Sequence, residues 1–270
     1  YENSRDVKEL ENILSDIGIE PAARILPELN VGELQKCRSA WLQATRPVDF
    51  FNDTYNEIAT ATGIPALNLH APYGVEATRL WFEKLTAELN KQEIWREYWD
   101  ANKEKEYQRA DVWRRLGSDY TLAFIVDPGQ ISRIWDEKRN MGLSFMAVLR
   151  EFGFKVLAYI YDERNRPEQR RVIREAVTLE LQRKGFGADD LETEFFHLPE
   201  ELDVLLGDDR AQAVFSEYYS DTRLERAGKA WFSPADFEQG FSGAERSFRR
   251  LLNRCRNGYY RRLKNIAGEM

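Results

Sequence analysis

Helix-patterned segments and short apolar runs alternate along this chain with few residues between them, and that order leaves few architectures open. Residues 4–18, SRDVKELENILSDIG, put Val7, Leu10, Ile13, Leu14 and Ile17 on one helical face, with Ser4 or Asp6 as N-cap and Gly18 as the closing residue. A short strand is expected over 21–29, a helical turn over 31–37 and a buried strand over 39–45. An amphipathic helix over 49–63, closed by Gly63, leads to a strand over 65–70 and a helix over 75–90. Alternation of this kind builds a parallel sheet covered by helices. The pattern opens on a helix, so the strand expected before it is missing or lies just upstream of Tyr1. Lacking an initiator Met, the chain is expected to be trimmed or a fragment.

Residues 91–117 change character. They are highly charged, with Ile94, Trp95, Tyr98, Trp99, Tyr107, Val112 and Trp113 at helical spacing, and read as a helical connector. The alternation then restarts. A strand over 119–129 ends in a turn, and a helix over 131–153 and a strand over 154–163 follow. A helix over 167–185 has Pro167 in its first turn. Strands over 191–198 and 202–209, a short helix over 211–219 and a closing helix over 243–265 complete the chain. The expected fold is α/β: two Rossmann-like domains with parallel sheets flanked by helices. The first is residues 1–90, incomplete at its N-terminus. The second is 118–270, with a basic C-terminal helix.

A chain of 270 residues, 43% hydrophobic and 13% aromatic, can bury the cores this requires. Its formal net charge is −7, so nucleic acid is not an expected partner unless basic residues cluster. They do so only near the end, where Arg246, Arg249, Arg250, Arg254, Arg256, Arg261, Arg262 and Lys264 face one acid, Glu245. That stretch reads as a solvated face pairing with the protein's own acids, a docking surface for an acidic partner, or an electrostatic contact to nucleic acid. No apolar run is long enough to span a membrane. The opening YENSRDVKELENIL is charged where a signal peptide would be apolar, so export is not suggested and a cytoplasmic location is the expectation. Two cysteines, Cys37 and Cys255, and two histidines, His70 and His197, exclude a disulfide scaffold and a CxxC-type zinc site, and no metal site within this chain is expected.

Several segments resemble the component 1 proteins of nitrogenase and their relatives, among them cofactor-assembly scaffolds and dark-operative protochlorophyllide reductase. PYGVEATRLWFEKL, after Gly63-Ile64-Pro65, resembles the family's P-x-G-x-x-x-T-x-x-(L/F) segment. DVKELENILSDIGIE resembles its D-(V/I)-x-E-(L/I)-x-x-x-L-x-x-(L/I)-G. DYTLAFIVDPG with GLSFMAVLREFGFKVLAYIYD, then DVLLGDD, then GFSGAERSFRRLLN, match later segments in the family's order. The resemblance implies Rossmann-like domains with a ligand held between them, a metallocluster or a tetrapyrrole-like molecule. It also implies electrons delivered by a separate iron–sulfur reductase, pairing with the same or a related subunit, and an additional N-terminal region in full-length members. It breaks at the chemistry. Where nitrogenase has a cofactor-binding Cys, this chain has Thr45, Arg46 and Pro47, and KAWFSPADFEQGFSG lacks the family's second ligand, a His. The cysteines of the other cluster lie in the region expected upstream. This chain alone is therefore expected to carry no cofactor. An iron–sulfur or related cluster would need cysteines from that region or from a partner, and a non-catalytic binding or scaffold protein is the alternative.

In an open parallel sheet, ligands sit beyond the carboxyl ends of the strands. The loop LHAPYGVEAT is such a place: Pro72 fixes the exit direction, Gly74 permits close backbone approach, and the next helix offers N–H groups to an anion. A tight strand-to-helix turn is the plainer reading. The candidates for the crevice are Thr45, Arg46, Asn68, His70, Tyr73, Gly74, Asp127, His197 and Asp208. An Arg at position 46 suits a carboxylate or phosphate, or forms a surface salt bridge. Asp127, Asp162 and Asp208 are expected at strand ends, as acid–base groups, metal ligands or caps of the next helix.

Overall fold

The computed structural model describes residues 4–24, 31–46, 48–217 and 221–257. They form two compact units, Tyr1–Ala110 with Asp136–Ser144 and Phe237–Ser247, and Asp111–Trp135 with Phe145–Asp236 and Phe248–Met270.

In the first unit, α1 (Ser4–Asp16) buries Leu10, Ile13 and Leu14, followed by Ile17, and ends at Gly18 with φ 69°. After α2 (Val31–Cys37), the short strand β1 (Gln43–Thr45) pairs in parallel with β2 (Ala66–Asn68), so that Thr45 lies opposite Asn68. Between them runs α3 (Asn52–Thr62), stopped by Gly63 in the left-handed region. α4 (Val75–Glu88) and α5 (Gln92–Gly117) complete the unit's helical layer. Their contact is aromatic: the rings of Phe82 and Trp95 stack at 4.8 Å, those of Trp95 and Trp99 at 6.0 Å, and Phe241 lies on Trp99 at 5.7 Å.

Two expectations change here. The buried strand expected over 39–45 is only its last three residues, and Trp41, within that expected span, is 87% exposed. Residues 21–24 are not strand, and the rest of that expected strand, like Pro47, lies outside the described residues.

The second unit is built on a five-stranded parallel sheet: β3 (Thr121–Val126), β4 (Lys155–Tyr161), β5 (Leu191–Phe196), β6 (Ala213–Phe215) and β7 (Ala230–Phe232), in the order β5-β4-β3-β6-β7. Five consecutive residues of β4 are buried, the mark of a strand covered on both faces. Phe124 sits among Phe145, Phe215 and Phe232 at ring distances of 5.3–5.4 Å. Helices α6 (Phe145–Glu151), α7 (Pro167–Arg183), α8 (Pro199–Gly207) and α9 (Thr222–Ala227) lie between the strands, and α10 (Phe241–Arg256) follows β7.

The helix expected over 131–153 is instead two 3-10 turns and α6, because Met141 and Gly142 take φ of 55° and 90° and break the run. The strand expected over 202–209 is α8. Pro199 starts it, Leu202 and Leu206 are buried one turn apart, and Val204 between them is 74% exposed. Within the helix expected over 211–219, no described residue is helical and residues 213–215 form β6, with Ala213, Val214 and Phe215 all buried beside β3. Neither α9 nor β7 was anticipated. Of the closing helix, residues 258–265 lie outside the described residues.

Candidate functional site

The loop between β2 and α4 owes its shape to the motif residues. Leu69 N–H continues the strand pairing to Thr45 O at 2.8 Å, and Tyr73 N–H turns back to Ala71 O at 2.8 Å. Gly74 holds φ 89° and ψ 176°, a conformation essentially restricted to glycine. The buried Thr78 hydroxyl lies 2.5 Å from Gly74 O and 3.0 Å from Pro72 O, so the threonine of the motif clamps both halves of the turn. In the first turn of α4, Glu76 pairs with Arg79 at 2.6 Å, so that helix end already has an acid of its own.

Around this loop the chain gathers polar side chains from distant segments. Arg46, half-buried just past β1, donates from Nη2 to Gln239 Oε1 at 3.4 Å. Gln239 is itself buried, and its Nε2 donates to the Tyr73 hydroxyl at 3.4 Å. The Gln239 backbone bridges to Tyr73, and Gly240 N–H donates to Pro72 O at 2.9 Å. His70 Nδ1–H donates to the Glu137 carboxylate at 2.6–2.7 Å, which directs the other ring nitrogen away from the pair. Gly142 explains how the loop carrying Glu137 comes so close, since a Cβ there would stand 2.6 Å from Ala71 Cβ and 3.7 Å from Arg46 Cδ. Thr45 is buried, its hydroxyl donating to Leu67 O at 3.3 Å, and Asn68 is exposed beside it. Burial raises the Tyr55 phenol above its ordinary range and the nearby Arg46 charge opposes that rise.

Thr45, Arg46, Asn68, His70, Tyr73 and Gly74 therefore share one end of the first unit's strands. Glu137, Gly142 and Gln239 join them and were not found from sequence. A guanidinium, an amide, a phenol and an imidazole in this arrangement can hold an oxyanion-bearing ligand by hydrogen bonds and charge.

The other candidates belong to the second unit. Asp127, after β3, accepts the N–H groups of Gly129 at 2.7 Å and Gln130 at 3.0 Å, which is turn chemistry. His197, after β5, donates from Nδ1 to Asp162 O at 2.9 Å, and its own N–H goes to Glu201 at 2.7 Å. Asp208 ends α8 rather than a strand, so it stands at the opposite, amino edge of the sheet, where the buried Lys229 donates to its carbonyl. The helix arginines meet the unit's own groups. Arg254 takes Asp236 at 2.7 Å, Arg250 the Asp236 carbonyl at 3.0 Å, and Arg256 the Tyr120 hydroxyl at 3.1 Å. Arg246 pairs with Glu238 in the first unit. Arg261, Arg262 and Lys264 lie outside the described residues.

The donor set does not fit a metallocluster held by this chain alone. Among the described residues no group of three or more His, Cys, Asp or Glu could hold a metal ion. Both cysteines are free and buried, and burial pushes the Cys255 thiol up to about 12, far from the thiolate a metal needs. No described helix is long and apolar enough to cross a membrane.

Comparison with known proteins bears on the whole chain. No curated protein sequence matches it. The structure of the nitrogenase Cp1 at pH 6.5 is similar in fold, with a TM-score of 0.56 at 12% identity over 93% of this chain. The match covers 57% of that chain, so the present one spans little more than half its length. A mutant O-GlcNAc transferase of Thermobaculum terrenum follows with a TM-score of 0.33 at 12% identity, over 56% of this chain and 31% of that one. An α,α-trehalose 6-phosphate synthase of Burkholderia multivorans gives 0.26 at 11% identity, over 88% and 74%. Scores this low bear on nothing here. The sequence profile of nitrogenase component 1 type oxidoreductases matches residues 1–256, which takes in both units and every described element, and the chain therefore belongs to that family.

Proposed function

We propose that this chain is a ligand-cradling part of a nitrogenase component 1-like oxidoreductase. It holds a metallocluster or tetrapyrrole-like ligand through Arg46, Tyr73, Gln239 and the His70–Glu137 pair, with electrons arriving from a separate iron–sulfur reductase. It associates with its own kind or a related subunit. The observation that carries this reading is the convergence of those side chains, from four separated stretches, at the carboxyl ends of β1 and β2. Any cluster takes its thiolates from outside these residues, because the donor set here does not fit one. That same poverty of metal donors favours a second reading, a non-catalytic binding or scaffold protein that kept the fold and lost the cluster ligands.

Titrating the chain with protoporphyrin IX, followed by its visible absorbance, tests the tetrapyrrole arm. Saturable binding that weakens about tenfold in Arg46→Gln is expected, the size of one lost hydrogen bond to a charged group. Equal binding by wild type and variant removes Arg46 from the site. No saturable binding by either overturns the tetrapyrrole reading.

A further inference from the structure

The sheet of the second unit reverses its progression between β3 and β6: the chain runs from β3 through β4 to β5 on one side, then returns to β6 and β7 on the other. Where an open parallel sheet does this, the loops leaving the two central strands part at their carboxyl ends and leave a crevice that suits a ligand. One lip here is the turn after β3, set by Asp127 and continued by the 3-10 turn Ile131–Ile134. The other begins at Ser216 and Glu217, directly after β6. It is fixed by Trp231 Nε1–H, which donates to Ser216 O at 3.1 Å, and by the Ser216 hydroxyl, which donates to Asp221 at 3.2 Å. Glu217 reaches from this second lip to the first. Its carboxylate accepts from Gln130 Nε2 at 3.3 Å and pairs with the Arg133 guanidinium. The Arg133 and Glu217 side chains are 34% and 35% exposed, so solutes can reach the pair.

We propose that Arg133 and Gln130 form an oxyanion seat at this switch point, occupied in the free protein by the chain's own Glu217 carboxylate. The ligand is a small molecule bearing a carboxylate or a phosphate, whose anionic group takes the place of Glu217. Arginine's planar fork matches either group, and an amide N–H beside it adds a directed donor. Gln130, Arg133 and Glu217 belong to the second unit, and none of them is among the residues gathered around Arg46.

Calorimetric titration of the full chain at low salt, with pyrophosphate and separately with citrate, tests the proposal, low salt being needed because exposed charges are screened. Glu217→Gln keeps the side chain's size and removes the competing charge. It should bind at least one probe about fivefold more tightly than wild type, equivalent to about 1 kcal/mol for one exposed ion pair. Arg133→Gln, alone or combined with Glu217→Gln, should abolish that binding while keeping the wild-type urea midpoint within error. Tighter binding of pyrophosphate identifies a phosphate ligand, and of citrate a carboxylate. Glu217→Gln binding neither probe more tightly than wild type, or Arg133→Gln retaining the binding, would overturn the proposal.

Discussion

Gly153→Ala is expected to destabilise the second unit by roughly 2–5 kcal/mol, the sum of a backbone cost and an overpacking cost. Gly153 ends the turn after α6 with φ 81°, where an L side chain is strained. Its new Cβ would also stand 2.4 Å from Arg114 O and 2.5 Å from Arg114 Cα, both backbone atoms of α5 that no rotamer change can move. Gly117 shows the reverse side of the same approach, since a Cβ there would lie 2.2 Å from Phe152 O. Gly185 supplies the control. It has the same φ of 81°, yet a Cβ there meets nothing within 4 Å, so Gly185→Ala should cost only about 1–2 kcal/mol. Urea unfolding of both variants, followed by far-UV dichroism, separates the two causes. Equal losses would mean that the contact between α5 and the Gly153 turn is looser than described.

Arg170→Met is expected to cost about 3–5 kcal/mol, the usual penalty for leaving one partner of a buried ion pair behind. Asp162, at the end of β4, is almost wholly buried, and Arg170 Nε donates to its Oδ2 at 2.7 Å. The other oxygen, Oδ1, has no hydrogen-bond partner. Burial pushes this carboxyl up, while the Arg170 guanidinium, with backbone N–H groups of Arg164 and Arg166, outweighs it and holds the group below the usual carboxylate range. The sign of the pH dependence follows. A depressed carboxyl contributes stability above its unfolded pKa, and that contribution disappears as pH falls through the folded value. In Arg170→Met, burial dominates and the carboxyl rises above its unfolded value. In the variant this group's contribution to stability is then lost as pH increases through the carboxylate range. The gap in urea midpoint between wild type and variant should therefore widen as pH rises across mildly acidic pH, because the other carboxyls titrate alike in the two proteins. Parallel slopes would show that Arg170 does not hold the charge of Asp162.

What could be read in the sequence follows length and periodicity. α1, α4, α5 and α7 each show several turns of apolar spacing with a Gly or Pro boundary, and β3 and β4 are apolar runs too continuous for a surface helix. LDVLLG and AQAVF were exchanged because a short apolar run carries no period. Leu202 and Leu206 bury one helical face, whereas Ala213–Phe215 is covered on every side, and only packing distinguishes them. The motif P-x-G-x-x-x-T was visible, but the clamp made by the Thr78 hydroxyl was not. Half of the Arg46 site was legible because β1, β2 and their loops are adjacent in sequence. Glu137 and Gln239 were hidden, since segments 136–144 and 237–247 join the first unit from far along the chain. Nothing local in either segment signals that.

On the proposed reading, this chain cradles a ligand without supplying its metal ligands. The most direct test is anaerobic purification from an iron-replete host, with iron determination and a visible absorption spectrum. Substoichiometric iron and no thiolate–iron charge-transfer band are expected, because both cysteines are buried and the Cys255 thiol stays protonated. Stoichiometric iron with a dithionite-bleached band, lost in Cys37→Ser or Cys255→Ser, would contradict it.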